Sequence, residues 1–346
     1  MFRAYIGKVD GSSRYVTRRG FSTKAKARAA LLQLQTDIEN EEQTRKEITV
    51  EEISKKWLEE YADTVQDSTY IKTSRNFENH IYPAFGDRKI ATITAIQMQE
   101  QLNEWSKKLV YGRKLKGLMN HVFKYAIRHG YIETNPVDSV VTTVRKKVDS
   151  KSDFYNKDEL KKFMILVAKT KDLEKLVLFR LLAFTGARKG EILALEWKDW
   201  NDNTLNINKA VTRGFTGEEI GATKTVSSNR LISLDQTTQN ILKKWRKKNP
   251  NTRYIFENEF KKPIPSTLPR KWLLGILKDS KLRPIKIHGF RHTHASLLFE
   301  KGLDFETISR RLGHSSPDGV TKDIYVHITN KKQQEDFEKI RNIQII

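Results

Sequence analysis

The chain contains no cysteine. Disulfides, cysteine-ligated zinc and thiol catalysis are therefore excluded. No apolar run approaches the roughly 20 residues needed to cross a bilayer, and the opening stretch MFRAYIGKVDGSSRY lacks the apolar core of a secretory signal. A cytoplasmic chain without a membrane partner is the expectation. Acidic residues are in short supply: 42 Asp and Glu face 64 Lys and Arg, for a net charge of +22. That imbalance favours a polyanionic partner, nucleic acid ahead of an anionic lipid surface. Internal repeats and long low-complexity tracts are also missing. What is present is enough apolar material, 38% of 346 residues, to build sizeable cores. That composition argues against global disorder, and the length suggests two or three domains.

The pattern along the chain predicts a mainly α, multidomain protein. Residues 2–21 alternate and turn as a β-hairpin about Asp10-Gly11. Ser22 is placed to cap a helix striped by Ala27, Leu31, Leu34 and Ile38. Arg14, Arg18 and Arg19 on this hairpin make a basic face for DNA, with a solvated charged ribbon as the alternative. The highly charged run Glu39–Glu47 marks a linker or a solvated helix end. Four helices then follow. The first has a capping box at Thr49 and Glu52 and an apolar face of Ile53, Trp57, Leu58 and Tyr61. The second spans about Ser68 to Ile81 and is stopped by Pro83 and Gly86. The third is capped by Thr94 and Gln97 and packs Ile96, Met98, Leu102 and Trp105. The fourth carries Leu115, Leu118, Met119, Val122, Phe123 and Ala126, and ends at His129-Gly130. Lys107, Lys108, Arg113, Lys114 and Lys116 gather at the junction of the last two, as a phosphate-tracking surface or a solvated face.

The domains expected are a hairpin-and-helix module at 1–45, a helical domain at 48–135, an extended linker at 136–153 and an α+β domain at 154–346. The last opens with a helix capped by Asn156 and Glu159 and continues into an apolar helix, Leu176–Phe184, broken only by Arg180. Two strand-like segments, TLNINKA and RLISL, flank a loop, GATKTVSSNR, that carries Lys224.

The chemistry concentrates between His288 and Tyr325. His288 and Arg291 stand one helical turn apart and can face one ligand. His314 and Tyr325 complete a set of two imidazoles, a fixed cation and a phenol, which suits an oxygen nucleophile attacking an anionic phosphodiester. Arg188 lies in the tight turn TGARKGE beside the apolar helix, with Glu191 three residues on to hold its guanidinium. Taken singly, each residue has a plainer reading: a structural histidine, a boundary tyrosine, a helix-end arginine, a surface lysine. His288, His292 and His294 have the spacing of a zinc helix. Gly289 nevertheless stands where a zinc peptidase needs glutamate, and no carboxylate ligand follows before Glu300.

The pieces taken in order resemble the tyrosine recombinases of the phage-integrase family. The match rests on TGARKGE, TKTVSSNR, HGFRHTHAS, LGHSS and IYVHIT, spread over about 140 residues in the family's order. The resemblance implies catalytic roles for Arg188, Lys224, His288, Arg291, His314 and the nucleophile Tyr325. It implies a 3′-phosphotyrosyl intermediate without metal or nucleotide cofactor. It also implies a helical core-binding domain, an arm-type DNA-binding module and a homotetramer on duplex DNA with core-type and arm-type sites. Bending and excision accessory proteins are possible partners, and a bacterial host cell is the setting. The N-terminal hairpin is shorter than the three strands usual in the family. The apolar tail after Tyr325, NKKQQEDFEKIRNIQII, either packs on its own domain or docks on a neighbouring subunit. Two other functions stay open at this point. DFETISRRLGHSSPDGVTKDIY resembles a helix-turn-helix with Ile308 and Leu312 as core, as in a non-catalytic regulator. Tyrosine chemistry of the type IB topoisomerase kind is the other.

Overall fold

The structure is a computed structural model that describes residues 1–9, 12–109, 111–142, 153–222 and 226–313. The chain divides into two compact units, Met1–Lys146 and Lys147–Ile346. Among the described residues no helix is long and apolar enough to cross a membrane.

The first unit opens with an antiparallel hairpin, β1 (Phe2–Val9) and β2 (Ser12–Arg18), paired from Phe2 opposite Arg18 to Val9 opposite Ser12 with a register shift between Tyr5 and Gly7. The expected turn residues, Asp10 and Gly11, lie outside the described residues. Tyr5 and Tyr15 pair across the strands with rings 5.6 Å apart, and the Arg3 guanidinium sits 4.3 Å over the Tyr15 ring. Helix α1 (Lys24–Glu47) follows. Its cap is Thr23 and not Ser22. Thr23 is the extended residue immediately before the first helical turn, and its hydroxyl accepts from the Lys26 amide. The charged stretch at 39–47 continues this helix instead of forming a linker.

The helical core is built from α2 (Val50–Ala62), α3 (Asp67–Asn76), α4 (Tyr82–Phe85), α5 (Ala95–Lys108) and α6 (Gly112–Arg128). Both expected capping boxes form, Thr49 with Glu52 and Thr94 with Gln97. Pro83 does not stop its helix. A π-helical turn, Phe77–Ile81, joins α3 to α4, so Pro83 falls in a first turn where an N–H is not needed, and the helix ends at Gly86. Ile53, Phe77, Ile81, Met98, Leu102, Met119, Val122 and Phe123 are buried together, whereas Ile96 is 72% exposed. Two residues before Met98 on a helix is about 200° round the axis, so Ile96 points away from the core. Residues 136–140, expected in the linker, belong to this unit. The 3-10 turn Pro136–Ser139 packs on α5 and α6, Val137 and Val140 are buried, and the Gln99 amide grips the Val141 backbone at 2.7 and 3.0 Å.

The second unit contains α7 (Lys157–Lys169), α8 (Leu173–Thr185) and α9 (Lys189–Leu193), then β3 (Trp200–Asn201), β4 (Thr204–Ile207), β5 (Lys209–Arg213), β6 (Glu218–Ala222) and β7 (Arg230–Ser233). Four helices end its described part: α10 (Gln236–Lys248), α11 (Leu268–Leu277), α12 (Gly289–Glu300) and α13 (Phe305–Leu312). The segment TLNINKA is not one strand. It divides at Asn208 into β4, which pairs with β7 in the sheet β3-β4-β7, and β5, which forms a separate hairpin with β6. Helix α8 is the apolar centre, packed by α7, α10 and α12. Past its charged first turn, its remaining charge, Arg180, reaches the edge to bond Asp235 at 2.6 Å and Thr238 at 3.0 Å. Phe163 of α7, Phe179 of α8 and Phe290 of α12 meet with ring centroids 5.0 to 5.6 Å apart. This cluster fixes the start of α12, where the chemistry begins, against the end of α8.

That end is Gly186, a left-handed cap at φ +68°. A Cβ here would stand 2.6 Å from Leu312 Cδ2 and 2.7 Å from His294 Cδ2. Gly186→Ala therefore combines left-handed strain with overpacking, together roughly 2–4 kcal/mol. Thermal unfolding should register this as a melting temperature lower by about 5–15 °C for a unit of this size. An unchanged melting temperature would show that α12 and α13 do not close on Gly186.

Candidate active site

Arg188 caps α9 two residues past Gly186. Its backbone amide donates to Glu191 Oε2 at 2.9 Å, its Nη1 donates to Glu191 Oε1 at 2.7 Å, and its Nη2 donates to the Gly313 carbonyl at 3.2 Å. The side chain is 38% exposed, while Glu191 is buried. Burial alone pushes the Glu191 carboxyl up. The hydrogen bonds and charges of Arg230 and Arg188 outweigh that and hold it below the usual carboxylate range. Glu191 thus stays ionised and serves both arginines.

Arg291 lies in the first turn of α12 and is 2% exposed. Its Nη1 donates to the Gly186 carbonyl at 3.0 Å, while Nε and Nη2 are buried without a hydrogen-bond partner among the described residues. Burial and then the neighbouring charge of Arg188 push this guanidinium down to about 9. An arginine in that condition is a strong anion receptor, because it has already lost water and has no carboxylate of its own.

His288 caps the same helix. Its ring reaches solvent, yet the surrounding protein and the charges of His292, Arg291 and Arg188 push its pKa down to about 4, against a weaker upward pull from Asp153. It is neutral at pH 7 and keeps a lone pair for a proton. His292 stacks edge-on at 4.9 Å. The zinc spacing of His288, His292 and His294 does not converge on an ion, since both ring nitrogens of His294 are engaged. Nδ1 meets the Ala183 carbonyl at 3.1 Å, and Nε2 accepts from Arg311 Nε at 3.0 Å. That pairing fixes the tautomer with the proton on Nδ1.

Three further residues complete the frame and escaped the sequence reading of roles. Arg311 donates to His294, to Ser233 Oγ at 2.9 Å and to the Ser233 and Phe184 carbonyls at 2.9 and 3.3 Å. Arg230 bonds Glu191. His294 was weighed only as a metal ligand.

Of the expected catalytic residues, Arg188, His288 and Arg291 come together, with Glu191 in support. Lys224, His314 and Tyr325 lie outside the described residues. Their nearest described neighbours are Ala222, the last residue of β6, and Gly313, which receives the bond from Arg188. Gly190 lets α9 approach β5 closely, since a Cβ there would lie 2.6 Å from the Val211 carbonyl. The hairpin leading to Lys224 is thereby packed on the helix that Arg188 caps. In the first unit, Arg14 is on β2 with its side chain outside the described atoms, and Arg18 and Arg19 are exposed. Lys107 and Lys108 end α5, exposed and near Glu104, and Arg113 and Lys114 begin α6, also exposed. Lys116 is used structurally, donating to the Val140 carbonyl.

Two outcomes follow. Replacing this buried cation, as in Arg291→Met, should raise the stability of the ligand-free protein by ~1–2 kcal/mol while weakening its hold on an anion. Chemical denaturation that shows a loss instead would mean the charge is balanced within the fold. His294 is pushed down to about 3, first by burial and then by Arg311, from an ordinary value near 6.5. A depressed histidine binds fewer protons folded than unfolded, so its contribution is complete above about pH 6.5 and is lost as pH falls toward 3. Stability measured across that window should decline less steeply in His294→Gln than in the parent. Parallel curves would contradict the assignment.

Comparison with known proteins agrees with this geometry. Residues 153–332 match the phage integrase family, and residues 49–106 match the N-terminal SAM-like domain of phage integrases. The ICEBs1 integrase of Bacillus subtilis (strain 168) is 33% identical over 242 residues, which is 65% of this chain and 63% of that relative, so the match spans less than two thirds of its length. A XerC-like tyrosine recombinase of Caldanaerobacter subterraneus is 25% identical over 335 residues, covering 86% of this chain and 84% of the relative. Among solved structures, the Tn1549 transposon integrase in complex with a circular intermediate DNA superposes with a TM-score of 0.72 at 17% identity, over 85% of this chain and 99% of that one. A lambda integrase tetramer bound to a Holliday junction gives 0.64 at 18% identity, over 89% and 91%. The chain belongs to the phage integrase family: it is a tyrosine recombinase, of the class of enzymes that cut and rejoin DNA.

Proposed function

We propose that this recombinase integrates and excises a mobile element, with Tyr325 as nucleophile and Arg188, Lys224, His288, Arg291 and His314 as its catalytic partners. The observation that carries the reading is Arg291, buried with two unshared N–H groups beside Arg188. A scissile phosphate seated between the two guanidiniums gives the orphaned donors an acceptor and brings a negative charge to a site with surplus positive charge.

In the first step the Tyr325 oxygen attacks phosphorus, the bond from phosphorus to the 5′-oxygen breaks, and a 3′-phosphotyrosyl link forms. The phenolic proton passes to His288, which is neutral at working pH. Lys224 supplies a proton to the departing 5′-oxygen, and His314 donates to a non-bridging oxygen. An ordinary phenol, with a pKa of about 10, is a poor nucleophile at pH 7, so the cation pair has to stabilise the charge that builds on the phosphoryl group. Rejoining reverses these transfers with the 5′-hydroxyl of the exchanged strand. The number of phosphodiester bonds is conserved, so no nucleotide is consumed.

The first unit would hold the DNA. Arg113 and Lys114 occupy the first turn of α6, with no acidic residue beside them, where the helix dipole disfavours cations. Their placement there gains nothing for the helix and suits a phosphate contact, continued by Lys107 and Lys108. Arg18 and Arg19, with Arg14, would reach arm-type sites from the hairpin. A homotetramer on a Holliday junction is the working assembly, supported by the likeness to lambda integrase, with bending and excision proteins as partners in the cytoplasm of a bacterial host.

A nicked DNA substrate that traps the covalent adduct is the direct test. The parent should give an SDS-resistant protein–DNA complex that persists in EDTA, and Tyr325→Phe should give none. An adduct from the Phe variant would move the nucleophile elsewhere, and no adduct from either would favour a DNA-binding regulator.

A further inference from the structure

Arg230 is a buried arginine whose three terminal nitrogens reach three different parts of the second unit. Nη2 donates to Glu191 Oε2 at 2.8 Å, Nε donates to the Arg311 carbonyl at 2.7 Å, and Nη1 donates to the Ser228 carbonyl at 2.9 Å. Its side chain is 6% exposed and Glu191 is 2% exposed, so this is an internal pin rather than a surface pair. Each contact leads to a different piece of the catalytic apparatus. Glu191 holds the guanidinium and the backbone amide of Arg188. Ser228 ends the loop that carries Lys224, and Arg230 itself begins β7 after that loop. Arg311 lies in the last turn of α13, and the chain continues through Gly313 directly to His314.

The packing around Arg230 is equally constrained. Gly313 adopts φ +69°, and a Cβ there would stand 2.9 Å from Arg230 Nη1 and 3.1 Å from both Arg230 Cδ and the Ser227 carbonyl. The end of α13 is thus pressed onto the Arg230 side chain, and the Gly313 carbonyl is turned to Arg188.

We propose that Arg230 is a positioning residue for strand cleavage: through Glu191 it sets Arg188, and through the Arg311 carbonyl it sets the end of α13 from which His314 follows. This rests on the catalytic assignment above. It goes beyond it because Arg230 touches no reacting atom in that scheme. A fork is required. Lysine supplies the same charge from one nitrogen, and it cannot span a carboxylate on one side and two carbonyls on the other in fixed directions. Misplacing Arg188 or His314 by about 1 Å is enough to cost on the order of 100-fold in rate.

The experiment compares the full chain with Arg230→Lys, Arg230→Gln and Glu191→Gln, and with the double variant Arg230→Lys/Glu191→Gln. Adduct formation on the nicked substrate is followed at saturating DNA, beside DNA affinity and the circular dichroism melt. An adduct from the parent that Tyr325→Phe lacks secures the underlying assignment, so the variants then report on Arg230 alone. The expected result is DNA affinity within about threefold of the parent and a cleavage rate lower by about 100-fold. The double variant should be no slower than the worse single one, because both substitutions break one relay. Cleavage within about threefold of the parent in a folded Arg230 variant would overturn the proposal. So would losses that multiply in the double variant, rates that recover fully on cooling as the fold recovers, or unfolding of both Arg230 variants at every temperature.

Discussion

The second unit is arranged around charge that is deliberately left unbalanced. Arg188, Arg230 and Arg291 act on one another, and the buried carboxylate they share is Glu191. A fold selected only for stability would supply Arg291 with a carboxylate or replace it with an apolar residue, since an unpaired buried charge is among the costlier things a core can hold. Here its two unshared donors are kept dry instead. The polarity of the site and its preference for an anion follow from that excess, while His288 is kept neutral first by burial, then by His292 and the arginines.

Orientation without neutralisation is the device that makes this workable. Arg291 is aimed by the Gly186 carbonyl, Arg188 partly by the Gly313 carbonyl, Arg230 by the Arg311 and Ser228 carbonyls, and Arg311 by the Ser233 and Phe184 carbonyls. A carbonyl offers direction through its lone pairs and carries no net charge, so the guanidinium planes are fixed while the positive potential survives. A second carboxylate would have fixed them equally well and cancelled the attraction for phosphate. Among the described residues the carboxylate bonded to Arg188 is Glu191, which Arg230 shares, and Arg188 is more exposed than Arg291.

Which parts of this were legible in the sequence depended on how far apart the partners are along the chain. The capping boxes at Thr49, Thr94 and Asn156, the brace from Glu191 to Arg188, and the pairing of His288 with Arg291 on one helical turn are relations over three residues, and spacing expresses them directly. Arg230 meets partners 39 and 81 residues away, and Arg311 meets His294 across 17. No local period encodes such contacts, so these residues looked like ordinary charges at a strand or helix end. The errors were also local. Ser22 and Thr23 both carry a hydroxyl able to cap, and it is Thr23 that is extended and accepts from the Lys26 amide. Pro83 carried a stop signal that the π-helical turn before it cancels. Residues 136–140 lack a helical period because they pack as a 3-10 turn held by Gln99 and Lys116.

The same network also divides the labour between the two ends of the catalytic stretch. Gly313 is gripped through its carbonyl and pressed against Arg230, and His314 is the next residue in the chain. Tyr325 stands twelve residues beyond Gly313, a length that can span up to about 40 Å, so the arginine network by itself does not specify where the phenol lies. In the scheme proposed above, the charge-stabilising half belongs to the second unit's core, and the placement of the Tyr325 phenol would be set by other contacts, among them the DNA and a neighbouring subunit. For a recombinase this separation is useful. On the proposed scheme, a phosphate would be bound and polarised by Arg188 and Arg291 before any strand is committed to cleavage, and the commitment would then depend on what brings the tyrosine in.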